Sequence, residues 1–215
     1  MGDCEALIYL GDGRFHLEAG MIANPTVQAY RYDPYDQKFT RENYDHELMK
    51  NNRRGQIELA KSAQSFGIIL STLGRQGNPK ILENVIRLIE KQGKEHFTIL
   101  MAEIFPDKLA LFEDIDCWIQ IACPRLSIDW GLGFEKPLLT PFEAAVALQE
   151  AQWQQDVYPM DFYRFFFCFF NCLIEVFSYK SLGNWTNNHK DNNLNHPDHR
   201  EERRRQRREH RKIKA

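Results

Sequence analysis

The sequence predicts an α/β fold in which parallel sheets are flanked by helices. Three observations carry this expectation. Short apolar runs alternate with amphipathic helical patterns along the middle of the chain. The links between them are short and built from Gly, Pro and Asn. Two of the helices carry strong start signals, Asn78-Pro79 and Thr140-Pro141 with Glu143.

Taken in order, "EALIYLGDGRFH" opens with the apolar run Ala6 to Leu10 and ends in Gly-Asp-Gly, a strand entering a tight turn. The chain starts almost directly on that strand, so a truncated domain is expected. "QAYRYDPYDQKFTRENYDHE" reads as extended, aromatic-rich chain broken by Pro34, and a polar helix is expected over roughly Asn43 to Ser65. The strand–loop–helix grammar then repeats. Ile68, Ile69 and Leu70 form a strand core, Asn78 caps a helix, and Ile81, Leu82, Val85, Ile86 and Ile89 share its apolar face. Gly93 ends that helix. "HFTILMAEIF" is the next strand, "PDKLALFEDI" a short helix, and "CWIQIACP" a further, mostly buried strand that Pro124 stops for lack of an N–H. In "TPFEAAVALQEA", Thr140 and Glu143 form a capping box.

Composition narrows the function. The chain has 215 residues, 43% hydrophobic and 27% charged, enough for a packed core. Of its net charge of −2, residues 200–215 contribute +6, leaving −8 for residues 1–199. The body therefore lacks the basic surface that nucleic acid requires. Five irregularly spaced cysteines argue against a secreted disulfide scaffold. The opening residues fit neither a signal peptide nor, with Ala6 at the sixth position, a myristoylation pattern. "YRFFFCFFNCLIEVFSYK" is too short and too interrupted by Asn171 and Glu175 to span a membrane. The polar segment after it is expected to be disordered. A reducing, cytoplasmic setting is the expectation.

Three loops follow candidate strands: Gly11 to His16, Leu73 to Gly77, and Cys123 to Ser127. Each sets turn-forming residues beside an arginine: Arg14, Arg75 or Arg125. Bare N–H groups and a guanidinium suit a carboxylate or phosphate, and three such loops on one sheet edge point to a polar ligand. "GRQGNP" is neither a P-loop nor a dinucleotide fingerprint. Cys123 sits at the carboxyl end of a strand, where open parallel sheets bind ligands. The residues alone leave two readings open for it, a core thiol or a ligand. Cys117 lies six residues earlier, about 20 Å away along an extended strand, too far to share one metal with Cys123. His16 and His46 read as structural, and the Phe-rich flanks of Cys168 and Cys172 read as packing around buried thiols.

Together, "YLGDGRFHLEAGMIANP", "AYRYDPY", "TRENYDHELM", "LSTLGRQGNPKILE", "EIFPDKLALFEDIDCWIQIACPRLSIDWG", "PLLTPFEAAVAL" and "YPMDFY" closely resemble the diphthamide-synthase family, over roughly residues 5–163 plus "SLGNWTNNH". The resemblance implies a three-domain α/β fold. Residues 1–55 would then be the end of the second domain and 56–163 the third, followed by a Phe-rich insert at 164–180 outside the functional fold. Residues 181–215 would be a terminal segment with a basic tail. It implies a [4Fe–4S] cluster held by one cysteine per domain, with Cys123 as the third-domain ligand and Arg125 able to lower its thiol pKa. It implies S-adenosylmethionine as cofactor, whose amino-acid portion Gly74, Arg75, Gln76, Gly77 and Arg125 could hold. The reaction implied is transfer of a 3-amino-3-carboxypropyl group, as a radical, to a histidine of elongation factor 2. The partners implied are a second synthase subunit in a heterodimer and a reductant protein, with no nucleic acid and no membrane. The alternative is a non-catalytic module that binds the partner subunit without a cluster.

Overall fold

The computed structural model describes residues 4–74 and 76–160. The Phe-rich segment, Cys168, Cys172, "SLGNWTNNH" and the basic tail, on which several expectations fell, lie outside the described residues, as does Arg75.

The described chain carries two sheets. The first has strands β1 (Ala6–Leu10), β2 (Gln28–Asp33) and β3 (Lys38–Glu42) in that order, with helix α1 (Phe15–Ala23) linking β1 to β2. β1 and β2 are parallel, but β3 returns antiparallel to β2. This departs from an all-parallel expectation. The reason is local: the Asp33 carboxylate accepts from the N–H groups of Tyr35 and Asp36, closing a tight turn at Pro34, and Gln37 takes a φ of 53°. Arg31 and Arg14 both reach the carboxylate of Glu42, at 3.4 and 3.2 Å.

The second sheet is parallel throughout. Its strands are β4 (Ser65–Ser71), β5 (Glu95–Met101), β6 (Cys117–Ile121) and β7 (Leu138–Leu139), in the order β5-β4-β6-β7. Helices α2 (His46–Ala60), α3 (Pro79–Lys91) and α6 (Pro141–Ala147) cover one face, and α4 (Pro106–Ala110) packs on the other. The short helix α5 (Arg125–Trp130) follows β6. The α3 face follows the expected pattern: Ile81, Val85 and Ile89 are buried, Leu82 and Ile86 partly so. Each fully buried aliphatic side chain contributes about 1.5–3 kcal/mol. All five residues of β6 are buried, as a central strand of a parallel sheet requires. One of them is polar, Gln120, with 0% exposure. β7, two residues long, and α5 give no periodic signal.

Helix α2 runs unbroken through residue 55, the expected domain boundary. Its residues Ile57 and Ala60 pack in the core of the second sheet, and Met49 packs with Phe142 and Tyr158. Its most consequential residue is Arg53, only 1% exposed. Arg53 Nε and Nη2 donate to the two carboxylate oxygens of Glu143, at 2.7 and 2.6 Å. Nη1 donates to the Ser127 carbonyl at 2.7 Å and Nη2 to the Leu138 carbonyl at 2.8 Å. Glu143 also accepts from Thr140 N and from the Tyr158 hydroxyl, both at 2.8 Å, so the expected capping box is present and lies inside the core. A Cβ at Gly131 would run into the Arg53 guanidinium, which explains the glycine there.

Replacing Arg53 with Met strands a buried carboxylate. We expect a loss of about 3–5 kcal/mol in urea unfolding. Adding Glu143→Gln should recover part of it, because that second change removes the stranded charge.

Stability should also fall at alkaline pH. Burial raises the Cys117 thiol above its ordinary 9.0, with Glu143 and Asp116 adding to the effect. Burial likewise pushes the Tyr44 phenol from 10.0 up to about 12, partly opposed by Arg125 and reinforced by Asp129, Glu18 and Asp45. Folded pKa values above the unfolded ones mean that this stability is complete below the unfolded values. It is lost as pH rises, because the unfolded chain gives up its protons first. Urea midpoints should therefore fall between about pH 9 and 12. Cys117→Ala should flatten the early part of that fall.

Candidate active site at the carboxyl edge of the second sheet

The chain leaves β4 toward β5 on one side and leaves β6 toward β7 on the other. The carboxyl ends of β4 and β6 therefore flank a topological switch point, the place where open α/β sheets hold ligands. The loops after these two strands carry Leu73 to Gly77 and Cys123, so two of the three loops singled out in the sequence meet here.

After β4, Ser71 Oγ accepts from Leu73 N at 3.2 Å, and Gly74 takes a left-handed φ of 60°. A Cβ on Gly77 would collide with the Ser71 carbonyl, so only glycine lets the loop fold back onto its own strand. That return brings in Gln76, whose Oε1 accepts from Cys123 N at 3.3 Å. After β6, the Cys123 carbonyl accepts from Leu126 N at 3.0 Å as α5 begins, and from Gln120 Nε2 at 3.2 Å. Gln120 Nε2 also donates to Ser127 Oγ at 3.1 Å.

The third loop belongs to the first sheet, which corrects the expectation of three loops on one sheet edge. Only its Phe15 reaches the site. Arg14 is paired with Glu42 and, at 3.4 Å, with Glu18, and His16 is exposed. His46 packs against Tyr44, and burial lowers its pKa.

Arg125 joins the two sheets. Its guanidinium donates to the Phe15 carbonyl and to Glu18, both at 2.6 Å, and to both oxygens of Asp129, at 2.9 and 3.0 Å. It also lies over the Phe15 ring at 4.5 Å. Its side chain is 4% exposed. The guanidinium thus spends its contacts on protein carboxylates and a carbonyl, rather than on the Cys123 thiol. Asp129, four residues on, is a helical partner the sequence offered. Glu18 lies 107 residues away, and no local pattern marks it.

Between these groups lies a cleft of about 280 Å³, lined by Phe15, Leu73, Gln76, Phe105, Cys123 and Trp130 among others, with Glu103 and Arg125 as the charged ones among the described residues. Phe105 and Trp130 are 52% and 66% exposed, so its rim is aromatic and open. Cys123 is half-buried in it. Such a thiol suits one thiolate position of an iron–sulfur cluster in an apolar shell. No group of three His, Cys, Asp or Glu able to hold a metal ion occurs among the described residues. Cys117 is buried in the core and Cys4 is exposed ahead of β1.

The Arg125 contacts predict that Arg125→Lys, which cannot reproduce a forked pairing, costs about 1–3 kcal/mol in urea unfolding. A loss below about 0.5 kcal/mol would reduce the cluster to an ordinary surface ion pair.

Comparison with known proteins gives the family. The family model described as "Putative diphthamide synthesis protein" matches residues 1–159. The 2-(3-amino-3-carboxypropyl)histidine synthase subunit 1 of Nematostella vectensis is 53% identical over 190 residues, covering 88% of this chain and 38% of that protein. The Homo sapiens protein of the same name is 54% identical over 187 residues, covering 87% of this chain and 39% of its own length. The crystal structure of Dph2 from Pyrococcus horikoshii with a 4Fe-4S cluster superposes with a TM-score of 0.60 at 28% identity, over 74% of this chain and 44% of that one. This chain therefore spans about two fifths of the length of these curated relatives. A match of this extent and identity settles one thing: the chain belongs to the diphthamide synthesis family.

Proposed function

We propose that this chain is part of the transferase that moves a 3-amino-3-carboxypropyl group from S-adenosylmethionine to a histidine of elongation factor 2, the first step of diphthamide biosynthesis. The observation that carries the reading is Cys123, half-buried in a cleft at the switch point of a family-typical sheet. Cys123 would supply one of the thiolates of a [4Fe–4S] cluster, with the other ligands outside the described residues. When bound, such a cluster would supply the electron for reductive cleavage of S-adenosylmethionine. The chain's own residues do the rest by placement. Gln76 and Gln120 fix the backbone that carries the thiol. Gly74 to Gly77 shape the loop beside it, where the cofactor's amino-acid portion would lie. Arg125 holds the wall of the cleft through Phe15, with its own charge balanced by Glu18 and Asp129. Phe105 and Trp130 give the mouth of the cleft apolar walls beside the reacting groups. The proposed setting is cytoplasmic, with a second synthase subunit and a reductant protein as partners.

A second reading is a non-catalytic module that binds the partner subunit. It is favoured by one observation, that Cys123 stands alone among the described residues as a ligand in the cleft.

The deciding experiment substitutes Cys123→Ser in the longer enzyme with its partner subunit. We expect loss of the cluster's Mössbauer and EPR signals and of histidine modification. The 215-residue chain alone, reconstituted anaerobically with iron and sulfide, should hold no stoichiometric cluster. Full activity in Cys123→Ser would refute iron ligation by this residue, and retained partner binding beside it would favour the second reading.

A further inference from the structure

We infer that Gln120 is a positioning residue for the Cys123 thiol. The purpose of that role rests on the reading of Cys123 as a cluster ligand; its geometry does not.

Gln120 sits on β6 opposite Ile69 of the central strand, with 0% exposure. Its neighbours Ile119 and Ile121 are the residues a buried parallel strand ordinarily uses. A buried amide there is costly unless it is bonded. Only one end of it is. Nε2 donates to the Cys123 carbonyl at 3.2 Å and to Ser127 Oγ at 3.1 Å, while Oε1 has no partner among the described residues. Rotating the amide would set two carbonyl oxygens face to face, so the orientation is fixed by chemistry. What an isoleucine could not supply is the donor aimed at Cys123.

Cys123 is then held from both sides. Its N–H is bound by Gln76 at 3.3 Å and its carbonyl by Gln120. With both flanking peptide planes set by side chains, the direction of the Cα–Cβ bond toward the cleft is set as well. Ser127 links this clamp to the core, because its own carbonyl accepts from buried Arg53. A thiol that must meet a cluster shared with other ligands needs such a fixed direction.

The test has a readout apart from catalysis. Cys4 is exposed and lies ahead of β1, so it serves as an internal reference. The ratio of iodoacetamide alkylation at Cys123 to that at Cys4, read by mass spectrometry on the whole chain at one fixed pH, reports the thiol's confinement independently of reagent concentration. Gln120→Met keeps the length and removes the donor. We expect the ratio to rise about five-fold, the scale of one lost hydrogen bond. Gln120→Leu, which likewise carries no donor and adds no charge, should raise it too and provides a second variant if the first does not fold. Ile119→Val, a core change on the same strand, should lower the melting temperature and leave the ratio alone. An unchanged ratio in both Gln120 variants, or an equal rise in Ile119→Val, would overturn the inference. In the longer enzyme, Gln120→Met should also shift the cluster's EPR signal. A raised ratio with an unshifted signal would uphold the clamp and count instead against Cys123 as an iron ligand.

Discussion

The pairing of Arg53 with Glu143 is the constraint on which the second sheet and its site depend. It joins α2 to α6 and, through the carbonyls of Ser127 and Leu138, to α5 and β7. Both partners are at most 1% exposed. A buried ion pair adds little net stability over a well-packed apolar core, because desolvation consumes most of the Coulombic gain. Its effect here is geometric. Burial opposes the charge on Arg53 while Glu143 restores it, so the pair holds only with both members present and the guanidinium's four hydrogen bonds in place. β7 and α5 are too short to fix their own positions by packing. The guanidinium does that for them, by binding one main-chain carbonyl in each.

From Arg53 a line of polar contacts leads to the site. Ser127 passes it to Gln120, and Gln120 to Cys123. A second line comes from the first sheet, where Glu18 and the Phe15 carbonyl hold Arg125. The consequence is electrostatic as well as geometric. Glu42 and Glu18 engage Arg14, and Glu18 and Asp129 engage Arg125, so the two described arginines of these loops are not free to form the strongly positive mouth that the turns suggested. The cleft instead presents an aromatic rim, the Gln76 amide and a thiol.

The sequence made part of this legible for clear reasons. The α3 and α6 starts are readable because capping is local: Asn78 and Thr140 bind amides two or three residues on. Cys123 could be placed at the end of a strand because a central parallel strand is uniformly apolar and Pro124 ends it. What remained hidden was tertiary. The antiparallel return of β3 depends on an Asp33 turn that a run of aromatics obscures. α2 looked polar, and the expected boundary at residue 55 fell inside it, because its buried face includes Arg53, which hydropathy counts as solvent-facing. Gln120 passed for the polar half of a partial alternation. Its signal was there, a lone amide in an otherwise apolar strand, but its meaning needed the position of the Cys123 carbonyl. Arg125 was legible as an important cation, but two of its partners, the Phe15 carbonyl and Glu18, lie over 100 residues away.

Three of the local rules broken in this fold are broken close to Cys123 and share a direction. Gly77 folds a loop onto its own strand, Gln120 keeps a carbonyl oxygen buried without a partner among the described residues, and Trp130 and Phe105 stay open to solvent. An unsatisfied buried acceptor alone costs about 1–3 kcal/mol, which an isoleucine at the same place would avoid. Natural sequences depart from local consistency mainly where a site requires it. Here the cost falls on the residue that binds the cysteine's carbonyl, while the ion pair behind it makes four hydrogen bonds through its guanidinium. The fold therefore resolves the conflict in favour of the thiol's direction over the stability of the strand. That choice is intelligible if the thiol must meet something that does not move to accommodate it.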